Sequence, residues 1–275
     1  VPGIAAHVLS RGNDKECIFT DSVDYAKYEE LLEHALQRFA VTCHGWCLLW
    51  NHLHLIVRPS TFPLCGMMQQ LNSNYCQWFN KRHGRVGHRL QGRYKALLIE
   101  DGSYFLNAIR YVALNPVVAQ KVPDPTDWPW SSYRASIGRE TAPAFLDLEP
   151  VWAVLDAATP QEGRERLQML VTAGGRPEEL WGPLIRGSAV FAKRIDPLLE
   201  PHRENADFLY AERFATRPSL GELFVGVAGG PPLEDAVQTA FCRHVYTLKA
   251  IANELKVHPS TVWVWVRRSE SRRRQ

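Results

Sequence analysis

Apolar residues change their spacing repeatedly along the first 120 or so positions, and each change marks an element. His7 to Arg11 reads as a short strand, and Gly12-Asn13 supplies a turn. From Ser22 to Ala40 the apolar positions fall at helical spacing, at Val23, Tyr25, Ala26, Leu31, Leu32, Ala35, Leu36 and Phe39. Asp21 or Ser22 can cap that helix. Val41 to Leu49 and Leu53 to Val57 are unbroken apolar runs of strand length joined near Trp50-Asn51, which predicts a hairpin. A second helix is expected from about Pro63 to Arg82, with Gly84 as its stop. A basic loop, Arg85 to Arg93, leads to a strand over Tyr94 to Glu100. A third helix over Gly102 to Ala113 follows, which Pro116 must terminate shortly afterwards. The order β-α-β-β-α-β-α predicts an α+β domain, a central antiparallel sheet covered by helices, ending near Ile137.

Later segments carry less chemistry. The chain is punctuated by proline from Gly138 to about Pro160, and Leu167 to Leu199 reads as helices around a turn at Ala173 to Pro177. A glycine and proline cluster, Gly226 to Pro232, behaves as a linker, and a separate unit begins near Leu233. The expected division is therefore 1–137, 138–228 and 229–275, with a mainly helical C-terminal region. At 275 residues the chain can hold one large or two modest domains, and 45% hydrophobic with 22% charged residues is ordinary for a folded protein. The longest apolar run, Cys47 to Val57, is interrupted by Asn51, His52 and His54, so no membrane is implied. The start has neither a basic nor an apolar leader region and no Met, so the sequence is expected to begin slightly inside the natural chain, at a cytoplasmic address. Six cysteines without a C-x-x-C pair are expected as buried free thiols.

A net charge of +3 means little by itself, but its distribution does. Lys81, Arg82, Arg85, Arg89, Arg93 and Lys95 crowd one stretch, and Arg267, Arg268, Arg272, Arg273 and Arg274 crowd another. Two such patches point to a polyanion, although a solvated helix face or a basic tail would look the same. Asn51-His52-Leu53-His54 puts two imidazoles on one side of a strand, where a divalent metal is one economical partner. Arg110 to Pro116 places Tyr111 and Asn115 at i and i+4 on one helix face. If that face meets the histidine strand, Asn115 can join the ligands while Tyr111 aims at a group on the metal. The bland reading is a core tyrosine and a turn-capping asparagine. The remaining histidines, scattered singly, are expected to be structural.

Taken in order, HVLSRGN, WNHLHLIV, GHRLQGRYKALLIED, YVALNPVVA and DWPWSSYRA closely resemble the REP-associated tyrosine transposases, relatives of the single-strand insertion-sequence transposases with the HUH nuclease fold. The resemblance covers about Val1 to Ile137, and LIRGSAVFAKRI looks like the extension of longer members. It implies a ferredoxin-like antiparallel sheet, with His52 and His54 as ligands of Mg²⁺ or Mn²⁺. Asn115, where some relatives use Gln, is implied as third ligand, and Tyr111 as the nucleophile that forms a 5′-phosphotyrosine link. The implied partner is single-stranded or hairpin DNA of the REP type (repetitive extragenic palindromes); insertion-sequence relatives work as dimers and short family members as monomers, and of the two a monomer is favoured. Arg85, Arg89, Arg93, Tyr94 and Lys95 suit such DNA, because cations track phosphate and aromatics stack bases. Tyr75 is the decoy nucleophile, assigned to packing or DNA contact.

Residues Tyr246 to Arg268 look like a helix-turn-helix, similar to the C-terminal DNA-binding region of replication initiators. Ala250, Ile251, Leu255, Val262, Trp265 and Val266 would form its core, with Ser260, Thr261, Trp263, Arg267 and Arg268 facing the groove of duplex DNA. Lys256 stands where such turns often carry Gly, and Val262 to Val266 alternates in a way that also reads as strand. A catalytically idle protein that merely holds hairpins is the competing function. A two-metal nuclease would need clustered carboxylates, and Glu100-Asp101 is more simply a helix-terminus pair.

Overall fold

A computed structural model of the chain describes residues 1–60, 64–173, 185–203, 219–243, 246 and 248–273. These fall into two compact units, Val1–Pro201 and His202–Gln275. The finer boundaries at 137 and 228 remain expectations.

In the first unit the strands are β1 (Ala5–Arg11), β2 (Val41–Leu49), β3 (His52–Pro59), β4 (Lys95–Ile99) and β5 (Ile185–Arg186). They form one sheet in the order β2-β3-β1-β4-β5. The first four pair antiparallel, as expected, but β5 adds a parallel pairing to β4 that the sequence reading did not foresee. Two residues are too few to show any periodicity. The anticipated turn at Ala173 to Pro177 lies mostly outside the described residues.

Helices α1 (Ser22–Arg38) and α2 (Leu64–His83) cover one face of the sheet, and α3 (Ser103–Val118) covers the other. Asn72 of α2 donates to Ser10 Oγ, and Trp46 of β2 donates through Nε1 to Glu29 of α1, which fixes the first layer. Leu48, Leu53, Leu55, Val57 and Leu32 are wholly buried, each worth about 1.5–3 kcal/mol. The inward stripe of α1 differs from its apolar list in one respect: Val23 is exposed and Asp24 is buried. Asp24 accepts from Thr20 N, and Arg82 and His83 at the end of α2 engage it as well. Asp21 caps α1 by accepting from Val23 N and Asp24 N. Gly12 turns the chain where a Cβ would stand 2.0 Å from the Glu16 carbonyl oxygen.

Pro116 does not end α3, which continues to Val118. A proline this close to a helix end removes one hydrogen bond, and the last turn is held by bonds such as Ala119 N to Asn115 O. The free edge of β2 is covered by the chain's own later residues. Leu48 N donates to Trp130 O, Ser132 N to Trp46 O, Asp147 N to Cys43 O, and Trp128 Nε1 to Leu48 O. Helices α4 (Tyr133–Ser136), α5 (Glu149–Val154), α6 (Pro160–Thr172) and α7 (Ala189–Arg203) complete the described elements up to the second unit. Of the described cysteines, Cys43 and Cys47 are buried free thiols, but Cys17 and Cys65 are exposed, contrary to expectation. No helix among the described residues is long and apolar enough to cross a membrane.

The second unit contains α8 (Leu220–Phe224), α9 (Pro231–Gln238), α10 (Leu248–Leu255) and α11 (Pro259–Arg273). Its core is Leu220, Val237, Ala240, Ile251, Ala252, Val262 and Val266, with Ala250, Leu255 and Trp265 packed against it. Val262 to Val266 is therefore helical: the two valines four apart are buried, while Trp263 and Val264 are each 44% exposed. Lys256 takes the left-handed φ of +54° where a glycine is common, in the three-residue turn between α10 and α11. Gly226 to Gly230 links α8 to α9, and Pro231 and Pro232 occupy the first turn of α9.

Candidate active site

Strand register builds the site. His54 pairs with Leu9 and Cys47, and His52 pairs with Arg11 and Leu49, so both imidazoles stand on the sheet face covered by α3. One pair further along β1, His7 lies opposite Ile56 on that same face. Four residues of helix rise about 6 Å and two residues of strand about 6.8 Å, so an i, i+4 pair on α3 can match an i, i+2 pair on β3. The match is realised. Asn115 Oδ1 lies 3.3 Å from His52 Nε2, and the Tyr111 ring meets the His54 ring edge to face at 5.6 Å.

Two residues that the sequence reading did not single out complete the cluster. His7 Nε2 is 2.8 Å from His54 Nδ1, and its ring lies 5.8 Å from that of Tyr111. Asn51 Oδ1 is 2.7 Å from His52 Nδ1, while Asn51 Nδ2 donates to the Lys15 carbonyl. Burial holds these rings neutral. It lowers His7 to about 3 and His54 well below its ordinary value. His52 is brought to about 4 by burial, opposed by the Asn115 contact and aided by the Arg11 charge. Tyr111 itself is only 6% exposed.

Among the described residues no group of three His, Cys, Asp or Glu side chains converges as a metal site. The carboxylates of the two-metal alternative are spent elsewhere. Glu100 accepts from Ser188 N and Oγ, and Asp101 pairs with Arg58. Tyr75 is buried and its hydroxyl donates to Ile18 O, so of its two expected roles it has the packing one.

The expected DNA-contact residues divide. Arg85, Arg93 and Lys95 are exposed and Tyr94 is half-buried. Lys95 pairs with Leu9, which puts it in the same cross-strand row as His54. Arg89 is mostly covered: it pairs with Glu16 at 2.8 Å and lies over the Phe79 ring. On α11, Ser260 and Arg267 are exposed and Thr261 is half-buried. Ser260 Oγ bonds His258 Nδ1, Arg267 lies over Trp263, and Arg268 reaches Glu234 at 3.4 Å.

The sheet carries a His-x-His pair beneath a helix bearing Tyr and Asn four residues apart, and the two pairs meet. Residues 1–114 match the model of the IS200-like transposase family. One similar solved structure is described as a REP-associated tyrosine transposase bound to a REP hairpin. It is 17% identical, with a TM-score of 0.44, over 54% of this chain and 88% of that one. No curated protein matches the chain.

Proposed function

We propose that the chain is a metal-dependent DNA endonuclease and strand transferase that acts on single-stranded hairpin DNA of the REP type through a 5′-phosphotyrosine intermediate. The observation that supports it most is the meeting of Tyr111 and Asn115 with His54 and His52 across two elements far apart in sequence. The family match supports transposition chemistry, and the hairpin partner rests on the motif resemblance.

The donor set fits Mg²⁺ or Mn²⁺. Both nitrogens of His52 face amide oxygens, Asn51 Oδ1 and Asn115 Oδ1, yet a neutral imidazole has one proton to give. One of those contacts therefore sets lone pair against lone pair, an arrangement that a cation relieves. His52, His54 and Asn115 would hold it, and when bound it supplies a Lewis acid for a phosphate oxygen. The protein residues do the rest. A phenol is a weak nucleophile at neutral pH, so Tyr111 must lose its hydroxyl proton as Oη bonds to phosphorus. The P–O3′ bond breaks, and the departing oxygen takes up a proton as a free 3′-hydroxyl. Attack by another 3′-hydroxyl reverses the step without ATP, because the phosphodiester is conserved as an ester of Tyr111.

Exposed Lys95, in the cross-strand row of His54, and exposed Arg93, two residues before it in the chain, would follow the DNA backbone. In the second unit, Ser260, Thr261, Trp263 and Arg267 on α11 would meet duplex DNA as a second contact, with a monomer as the working form. Burial of Tyr111 favours one alternative, a hairpin-holding protein without catalysis. A single experiment decides between them. A hairpin oligonucleotide labelled at its 3′ end, incubated with the protein and Mn²⁺, should give a band shift that survives denaturation and disappears in EDTA. Binding without any adduct would establish the idle reading.

A further inference from the structure

His7 and Asn51 belong to neither the ligands nor the nucleophile assigned above, yet each sets a polar atom against the far nitrogen of one of the two histidines. His7, Asn51 and His54 are all at most 4% exposed, so water does not compete for these contacts. The His7 and His54 rings stack at 5.0 Å. A neutral histidine offers a lone pair at Nε2 only when its proton sits on Nδ1, and what faces Nδ1 decides that.

At His52 the choice follows from Asn51. Its Nδ2 is committed as a donor to the Lys15 carbonyl at 3.2 Å, which turns Oδ1 toward His52 Nδ1 at 2.7 Å. An amide oxygen can only accept, so Nδ1 carries the proton and Nε2 is bare toward Asn115. At His54 the 2.8 Å contact with His7 Nε2 holds one proton between two nitrogens. His54 keeps a lone pair on Nε2 only when its Nδ1 is the donor and His7 the acceptor.

We propose that His7 and Asn51 are positioning residues that keep the imidazole protons on Nδ1 of His54 and His52, so that both Nε2 atoms present lone pairs to a divalent cation. The use of those lone pairs rests on the metal-dependent reading above, whereas the proton placement does not. The two devices come from different elements, β1 and the β2–β3 turn, so each can be removed separately.

The test begins with the metal-free full chain, labelled with ¹⁵N, whose long-range imidazole correlations report the tautomer of each histidine directly. His52 and His54 should both be protonated at Nδ1. His7→Phe and Asn51→Ala, which remove the acceptors, should each mix the tautomers of the facing ring. Each should also weaken Mn²⁺ binding, followed by electron paramagnetic resonance, by roughly 10–100-fold. His7→Gln and Asn51→Asp keep an acceptor oxygen and should restore most of both. A wild-type spectrum with Nε2 protonated on either histidine overturns the proposal, and it needs no variant to fold. Unchanged tautomers and Mn²⁺ affinity in folded His7→Phe and Asn51→Ala overturn it too. If wild type shows the expected tautomers but binds no Mn²⁺, the proton placement stands and the metal-dependent function falls.

Discussion

Replacing Tyr111 by Phe deletes a single oxygen from a side chain that is 6% exposed. The ring keeps its edge contacts to His7 at 5.8 Å and His54 at 5.6 Å, and no cavity opens. The stability cost is that of one hydroxyl, about 0.5–1.5 kcal/mol. For a unit running from Val1 to Pro201, each kcal/mol moves Tm by about 2–4 °C, so the variant should melt within about 6 °C of wild type. Tyr111→Ala, by contrast, empties a core position at about 3–5 kcal/mol, or roughly 6–20 °C, and would confuse loss of chemistry with loss of fold. The Phe variant should bind a hairpin oligonucleotide nearly as well as wild type yet give no covalent product. Tyr75 cannot substitute, because it is 1% exposed in the layer with α1 and α2 and its hydroxyl donates to Ile18 O. The assay is a 3′-labelled hairpin with Mn²⁺ on a denaturing gel, beside a native gel shift and a melting curve. Undiminished adduct in the Phe variant would refute Tyr111 as nucleophile. A Phe variant that melts as low as the Ala variant would show that the hydroxyl holds the fold instead.

His52→Ala and His54→Ala should each abolish cleavage at ordinary Mn²⁺, while Asn115→Ala should be milder and recover with excess Mn²⁺; equal loss in all three would remove the special place of the imidazoles. Arg93→Ala and Lys95→Ala should each lower the slope of log affinity against log salt by about 0.7 on single-stranded probes, read from salt titrations. Arg89→Ala, whose guanidinium is held by Glu16, should lower Tm more than it changes that slope. Asp24→Asn, at a carboxylate with no exposure that meets Arg82 and His83, should cost about 1.5–3 kcal/mol in urea unfolding, and an unchanged midpoint would show that this cluster is neutral.

The β-α-β-β-α-β-α order could be read from the chain because each element states its own period over enough residues. The candidate site could be read in part. His52 with His54, and Tyr111 with Asn115, share a face by local geometry alone, so each pair is visible before the fold is known. His7 shows no such signal. Its place beside His54 depends on the β1–β3 register, a long-range fact, and a single histidine in an apolar strand looks structural. Asn51 stood in the motif itself, but its role needs the Lys15 carbonyl that fixes its amide. Pro116 misled because a proline near a helix end removes only one hydrogen bond, and α3 tolerates that loss. In α11, alternating Val and Trp suggested a strand, but burial of Val262 and Val266 on one helical stripe outweighs it.

The covered rim of β2 bears on how molecules of this protein meet one another. An open strand edge is an invitation to a second copy, whether for orderly pairing or for aggregation. Here the outward-pointing backbone groups at Cys43, Trp46 and Leu48 are already engaged by residues from Trp130 to Asp147, and β5 lies along β4 at the opposite rim. All of those covering residues lie beyond the 1–114 segment that matches the transposase family. A protein cut back to that segment would keep His7, His52, His54 and Tyr111, but would lose Asn115 with the last turn of α3 and would present two bare rims to its neighbours. Such a fragment would lose solubility as well as one residue of the site, and the later part of the first unit acts as the selvedge that keeps the sheet from unravelling into its copies.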